Sequence, residues 1–151
     1  MDVSVYDWVF VVSAVLFNLL IAGIFIAQKH NNDRLTRYFG VSWLCLAIPL
    51  LLAFFNAVST GKPAWVLICF GLVFLYMGVE LLLDYIIKYD FRARWVTHIP
   101  YIVLEYAALF SLIAIAIDIH ATLGWIVSAA FWILMGSLVY LFAGGKRRQQ
   151  A

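Results

Sequence analysis

Five long apolar runs, each separated from the next by a short polar cluster, organise this chain. They cover residues 8–27, 38–58, 64–87, 96–117 and 123–143. A helix needs about 20 mainly apolar residues to cross the hydrocarbon of a bilayer, and every run meets that length. The alternating ten-residue segments of a membrane barrel are absent. The pattern predicts an all-α polytopic integral membrane protein, with five transmembrane helices bundled in a single domain over residues 1–151. Asp118-Ile119-His120 is the briefest interruption. Without a turn there, the last two runs would form one helix of roughly 45 residues, about twice what a bilayer accommodates.

Composition agrees with the pattern. The chain is 66% hydrophobic and 12% charged, against about 45–50% and about 25% in soluble domains. The net charge of +2 is concentrated at run ends, so it reports topology and not nucleic-acid binding. Lys29, Arg34 and Arg37 follow the first run, Lys88, Arg92 and Arg94 the third, and Lys146, Arg147 and Arg148 the last. The alternate ends carry only Lys62, beside Asp2, Asp7 and Asp118. Cytoplasmic loops are enriched in Lys and Arg, which predicts an outside N-terminus and a cytoplasmic C-terminus. The membrane implied is a plasma membrane or, in a bacterium, the inner membrane. Trp8, Trp65, Trp95 and Trp125 fall near run ends, as interfacial anchors do.

Local details refine the bundle. Pro49 lies inside the second run, where a missing N–H and a ring clash favour a kink. Cys45 and Cys69 lie within runs at different depths, so they read as small core residues and not as a disulfide. Gly71, Gly78, Ala107, Ser111, Ala129 and Gly136 are candidates for close helix approach.

Three carboxylates inside the runs carry the candidate chemistry: Glu80, Asp84 and Glu105. An acid near the centre of a membrane helix costs about 2.5–3.5 kcal/mol on insertion scales. Such groups usually face a bundle interior or a wet cavity and mark ion or proton pathways. Tyr76, Glu80, Asp84 and Lys88 recur every four residues, so they form one polar stripe on a continuous α-helix. His98, Tyr101 and Glu105 share a face of the next run. At 1.5 Å per residue, Glu80, Glu105 and Asn18 all lie roughly 12–15 Å from the cytoplasmic boundary. Asp84, His98 and Tyr101 form a shallower layer. Desolvation and mutual repulsion favour a neutral acid, so at least one of Glu80 and Glu105 is expected to be protonated at neutral pH when no cation is bound. A purely structural origin accounts for each acid singly: an Asp84–Lys88 ion pair, or tyrosine-bonded Glu80 and Glu105.

No cofactor is specified. Carboxylates with a histidine suit an oxygen-ligated cation, whereas intramembrane histidine pairs for haem and Cys/His zinc spacings are missing. Arg92 and Arg94, in the third connection, are candidates for holding a lipid headgroup. The leading expectation is a proton- or cation-binding site at Glu80, Glu105 and Asp84, supported by Asn18, Tyr76, His98 and Tyr101 and coupled to transport of a small solute. Five spans without a repeat are few for a complete transporter, so a homo-oligomer or a partner membrane subunit is compatible. Two other classes fit the same residues. One is a membrane-embedded enzyme acting on a phospholipid or other lipid at the cytoplasmic leaflet. The other is an accessory subunit of a larger membrane complex.

Overall fold

A computed structural model of the chain describes residues 3–87 and 95–143, with side chains for all of these except 84, 85 and 95–97. The described residues are helical and connected by tight turns. The elements are α1 (Val5–Lys29), α2 (Asp33–Cys45), α3 (Ala47–Ser59), α4 (Ala64–Glu80), a π-helical turn (Leu81–Ile87), α5 (Trp95–Ile119) and α6 (Ala121–Phe142). Five helices, counting α2 and α3 as one span, are long and apolar enough to cross a membrane. Arg92 and Arg94 lie outside the described residues, as does the third connection that contains them.

The helix ends follow from short polar sequences. Ser4 caps α1 reciprocally with Asp7: the Asp7 amide donates to Ser4 Oγ at 3.2 Å, and the Ser4 amide to Asp7 Oδ2 at 2.9 Å. This satisfies amides that have no partner within the helix. At the far end Asn31 takes a left-handed φ of 52°. Its amide donates to the Gln28 carbonyl and that of Asn32 to the Ala27 carbonyl, both at 3.0 Å, a pairing that closes helix C-termini. The Asn32 side chain then caps α2, accepting from the Leu35 amide at 3.1 Å. Gly61, at φ 66°, closes α3 in the same way. Pro63 follows and begins α4. His120 is the sole residue between α5 and α6, and its Nδ1 accepts from the Thr122 amide at 3.2 Å.

Two spans depart from straight α-helices. The second is divided at Leu46, between α2 and α3. Pro49 is the cause: it offers no N–H to the Cys45 carbonyl and crowds it, so the α2 ladder stops at that residue. The third span leaves α-geometry after Glu80 and continues as the π-helical turn that carries Asp84. The four-residue stripe holds in α-helical geometry from Tyr76 to Glu80, and the Asp84 side chain lies outside those described.

Around the bundle the spans follow chain order. α1 packs on α2 and α3, α3 on α4, α4 on α5 and α5 on α6, and α6 closes the ring against α1. α1 is the most enclosed span, its inner stripe formed by Phe10, Ala14, Phe17 and Ile21. Phe10 meets Phe70 of α4 at 5.4 Å between ring centroids, and Phe17 meets Trp43 of α2 at 4.9 Å. The outer face is hydrocarbon: Ile68, Val103 and Trp132 are 63%, 63% and 70% exposed. Such outward apolar surface is the inverse of a soluble fold and suits lipid as solvent.

Several expectations about small residues change. Cys45 is exposed and not in the core; Cys69 is half-buried and both thiols are free. A side chain added at Gly71, Gly78 or Gly136 would meet nothing within 4 Å, so these glycines do not mark close approaches. The tightest approach is at Gly124, where a Cβ would stand 2.3 Å from Ile117 Cγ1 and 3.1 Å from its Cα, with Gly23 next at 3.2 Å from the Phe39 ring. The one-residue connection at His120 explains the Gly124 contact, because so short a turn presses the first turn of α6 onto the last of α5.

The two ends of the bundle are chemically distinct. At one end Lys62, after α3, pairs with Asp118 of α5 at 3.0 Å, near Asp7 and Asn56. At the other end Lys29 donates to the Tyr140 carbonyl and lies over the Tyr140 ring, 3.6 Å from its centroid. A cation there complements the carbonyl end of the α6 dipole. These contacts place the first and last connections at opposite ends, as an odd number of spans requires.

Candidate functional site

A cavity of about 270 Å³ enters the bundle between α1, α2, α4, α5 and α6. Its outer part is formed by Gln28, His98, Leu141 and Phe142, and its inner part by Ile21, Tyr106 and Met135. Seven residues separate Gln28 from Ile21, which makes the cavity about 10 Å deep. It therefore lies at the end where α1 and α6 finish and α5 begins.

Two carboxylates, Glu80 on α4 and Glu105 on α5, line this one cavity, and both are half-buried. Tyr76, His98 and Tyr101 line it as well. The sequence places Tyr76 and Glu80 one helical turn apart, and His98, Tyr101 and Glu105 at spacings of three and four, so each set shares a face. Packing of α4 against α5 turns these two faces toward one space.

A directed hydrogen-bond chain organises the acidic end. The Tyr101 hydroxyl donates to Glu80 Oε2. The Tyr76 oxygen lies 3.3 Å from that of Tyr101. A phenol has one proton to donate; Tyr101 commits its proton to Glu80, so Tyr76 is the donor in the outer contact. Aromatic rings support the chain, with Tyr76 5.8 Å from Tyr101 and edge-on to Trp43 at 5.5 Å. Tyr76 and Trp43 are 3% and 2% exposed, so the rotamers of both are held by packing. The indole nitrogen of Trp43 and Nδ1 of His98 are buried with no hydrogen-bond partner among the described residues.

The remaining sequence-derived candidates are placed differently. Asn18 is fully buried, yet it does not line the cavity; its Nδ2 donates to the Ala14 carbonyl at 2.9 Å, within its own helix. Asp84 lies on the π-helical turn, and its side chain is outside those described. Trp43, Tyr106 and Gln28 are cavity residues that hydrophobic patterning missed. Position within the span gave no signal for Trp43, since Trp132 lies further inside its run and is 70% exposed.

The chemistry of this space combines an acid pair, hydroxyl donors and a hydrocarbon wall. Ile21, Ile24, Ile102, Leu138 and Leu141 supply much of that wall. Among the described residues no three His, Cys, Asp or Glu side chains come together to hold a metal ion. The fold and site thus define a multi-pass helical protein with a carboxylate-lined cavity within its bundle. No protein family, curated protein or solved structure matches the chain.

Proposed function

We propose that this protein binds a proton or cation at Glu80 and Glu105 and couples that event to movement of a small solute through the cavity. The supporting observation is that two carboxylates from different helices line one cavity inside an otherwise apolar bundle, one of them bonded by the Tyr101–Tyr76 pair. Acids in this setting are costly unless a proton or ligand neutralises them. A site that gains and loses such a partner can bias helix packing between two arrangements. Glu80 and Glu105 act as carriers, and His98 and Gln28 stand at the entrance.

The basic connections support a cytoplasmic entrance. Lys29, Arg34 and Arg37 follow Gln28 at the cavity end of the bundle, which under the positive-inside rule supports an outside N-terminus and a cytoplasmic C-terminus. A second reading rests on His98, which shares the cavity with two carboxylates. Such a set can perform acid–base chemistry on a lipid.

Thermal stability of the purified protein across pH and a panel of inorganic cations tests the main reading. A ligand at 100 times its dissociation constant stabilises by about 2.7 kcal/mol. Stabilisation by acid or by one cation, abolished in Glu105→Gln, is the expected result. A flat response in both proteins rejects the proposal.

A further inference from the structure

We infer that the cavity takes a small organic cation with an apolar body, such as a protonated amine or a quaternary ammonium, in exchange for a proton on the Glu80–Glu105 pair. This rests on the reading of those acids as a proton- or cation-binding site and adds the chemistry of the ligand.

Three features of the cavity select that class. The first is its charge. Glu80 and Glu105 disfavour an anion there, and a cation is the partner they attract most strongly in a space of low dielectric. The second is the predominance of hydrocarbon over oxygen ligands in the lining. Calcium takes six to eight oxygen ligands and magnesium near-ideal octahedral ones. Here most of the neighbouring surface is hydrocarbon from Ile21, Ile24, Ile102, Leu138 and Leu141. The same surface suits an apolar body, whose burial is favourable. The third is the aromatic group at the acidic end. Trp43, Tyr76 and Tyr101 line the cavity beside Glu80, and aromatic rings with carboxylates recognise ammonium groups.

The exchange balances in charge. A neutral acid releases one proton to water, and the resulting carboxylate receives one monovalent cation. Ligand and proton therefore compete for one site, and competition of this kind couples their movements. The described titratable groups facing the pair are Tyr76 on α4 and His98, Tyr101 and Tyr106 on α5. The cavity residues of α1, α2 and α6 are not titratable.

Benzyltrimethylammonium is the probe, because its charge is permanent and any pH dependence belongs to the protein. Its binding to the full-length protein in lipid nanodiscs is measured by calorimetry from acid to alkaline pH, beside benzyl alcohol and phenylacetate. The expected result is saturable binding of the cation alone, about tenfold tighter per unit of rising pH until a plateau. Glu105→Gln weakens binding at least tenfold and flattens the profile. His98→Gln preserves the profile, which separates the acids from the histidine. Equal binding of benzyl alcohol or phenylacetate overturns the inference, as does cation affinity indifferent to pH. These outcomes are read in the wild-type protein and do not depend on a variant folding. Acid stabilisation lost in Glu105→Gln, without binding of the probe, overturns the ligand class and leaves proton binding standing. Loss of both removes both.

Discussion

Removing the Tyr101 hydroxyl should cost far more than removing that of Tyr76, although the two touch. In Tyr101→Phe the donor to Glu80 is lost, and the Tyr76 hydroxyl, in a residue only 3% exposed, loses its acceptor as well. Hydrogen bonds to charged groups contribute about 1.5–3 kcal/mol in water-soluble proteins. Between membrane helices measured values average about 0.6 and reach about 1.7 kcal/mol. Taking the upper membrane value for the Glu80 bond and a partial penalty for the stranded Tyr76 hydroxyl gives about 2 kcal/mol for Tyr101→Phe. Tyr76→Phe removes only the 3.3 Å outer contact and strands no donor, so about 0.5 kcal/mol is expected. The double variant is the sharper test. With Tyr76→Phe already present no hydroxyl is left without an acceptor, so the double variant should be more stable than Tyr101→Phe alone by about 0.5–1 kcal/mol. Reversible unfolding in bicelles, followed by steric trapping, gives the four free energies of the cycle. Equal costs for the two single variants, or a double variant no more stable than Tyr101→Phe, would refute the direction assigned to the chain.

Two further substitutions test the packing. Gly124→Ala should destabilise by about 1 kcal/mol, because strain of about 1–3 kcal/mol against Ile117 exceeds a helix-propensity gain of about 1 kcal/mol; Gly136→Ala, in open surroundings, should be neutral or stabilising in the same assay. Asp118→Asn should cost less than about 1 kcal/mol, since the Lys62 and Asp118 side chains are 35% and 26% exposed and solvent screens the pair. That small cost should vanish in 1 M salt, where the screening length falls to about 3 Å; a cost that persists would show a pair less solvated than its exposure indicates.

Much of the architecture is legible in the chain because bilayer thickness imposes a one-dimensional rule. Run length and the polar clusters at the turns give five spans, and four of the five span starts lie within three residues of the observed ones. The second starts at Asp33 and not at residue 38, because the Asn32 cap extends helix through the polar residues 33–37. Proline chemistry anticipates the division at Leu46. The π-helical turn after Glu80 carries no comparable signal, since Leu81-Leu82-Leu83 is equally suited to an α-helix.

The candidate site is legible only in part. Four-residue spacing brings Tyr76 to Glu80, and spacings of three and four bring His98 and Tyr101 to Glu105. Those relations are local, fixed by helical pitch. Whether two such faces meet is a question of rotation about each helix axis. In a helix apolar on all sides, the hydrophobic pattern leaves that rotation undetermined. Depth misleads in the same way for Asn18, which reaches the predicted level but turns its side chain to Ala14.

The amino-acid sequence alone thus determined a five-span helical membrane protein with acids in its interior, because transfer into lipid depends on the length and polarity of each segment by itself. Only the tertiary structure decided that Glu80 and Glu105 share a cavity, that Trp43 and Tyr106 join them and that Asn18 does not. Those outcomes depend on how α1, α2, α4, α5 and α6 rotate and pack against one another, which no single segment encodes.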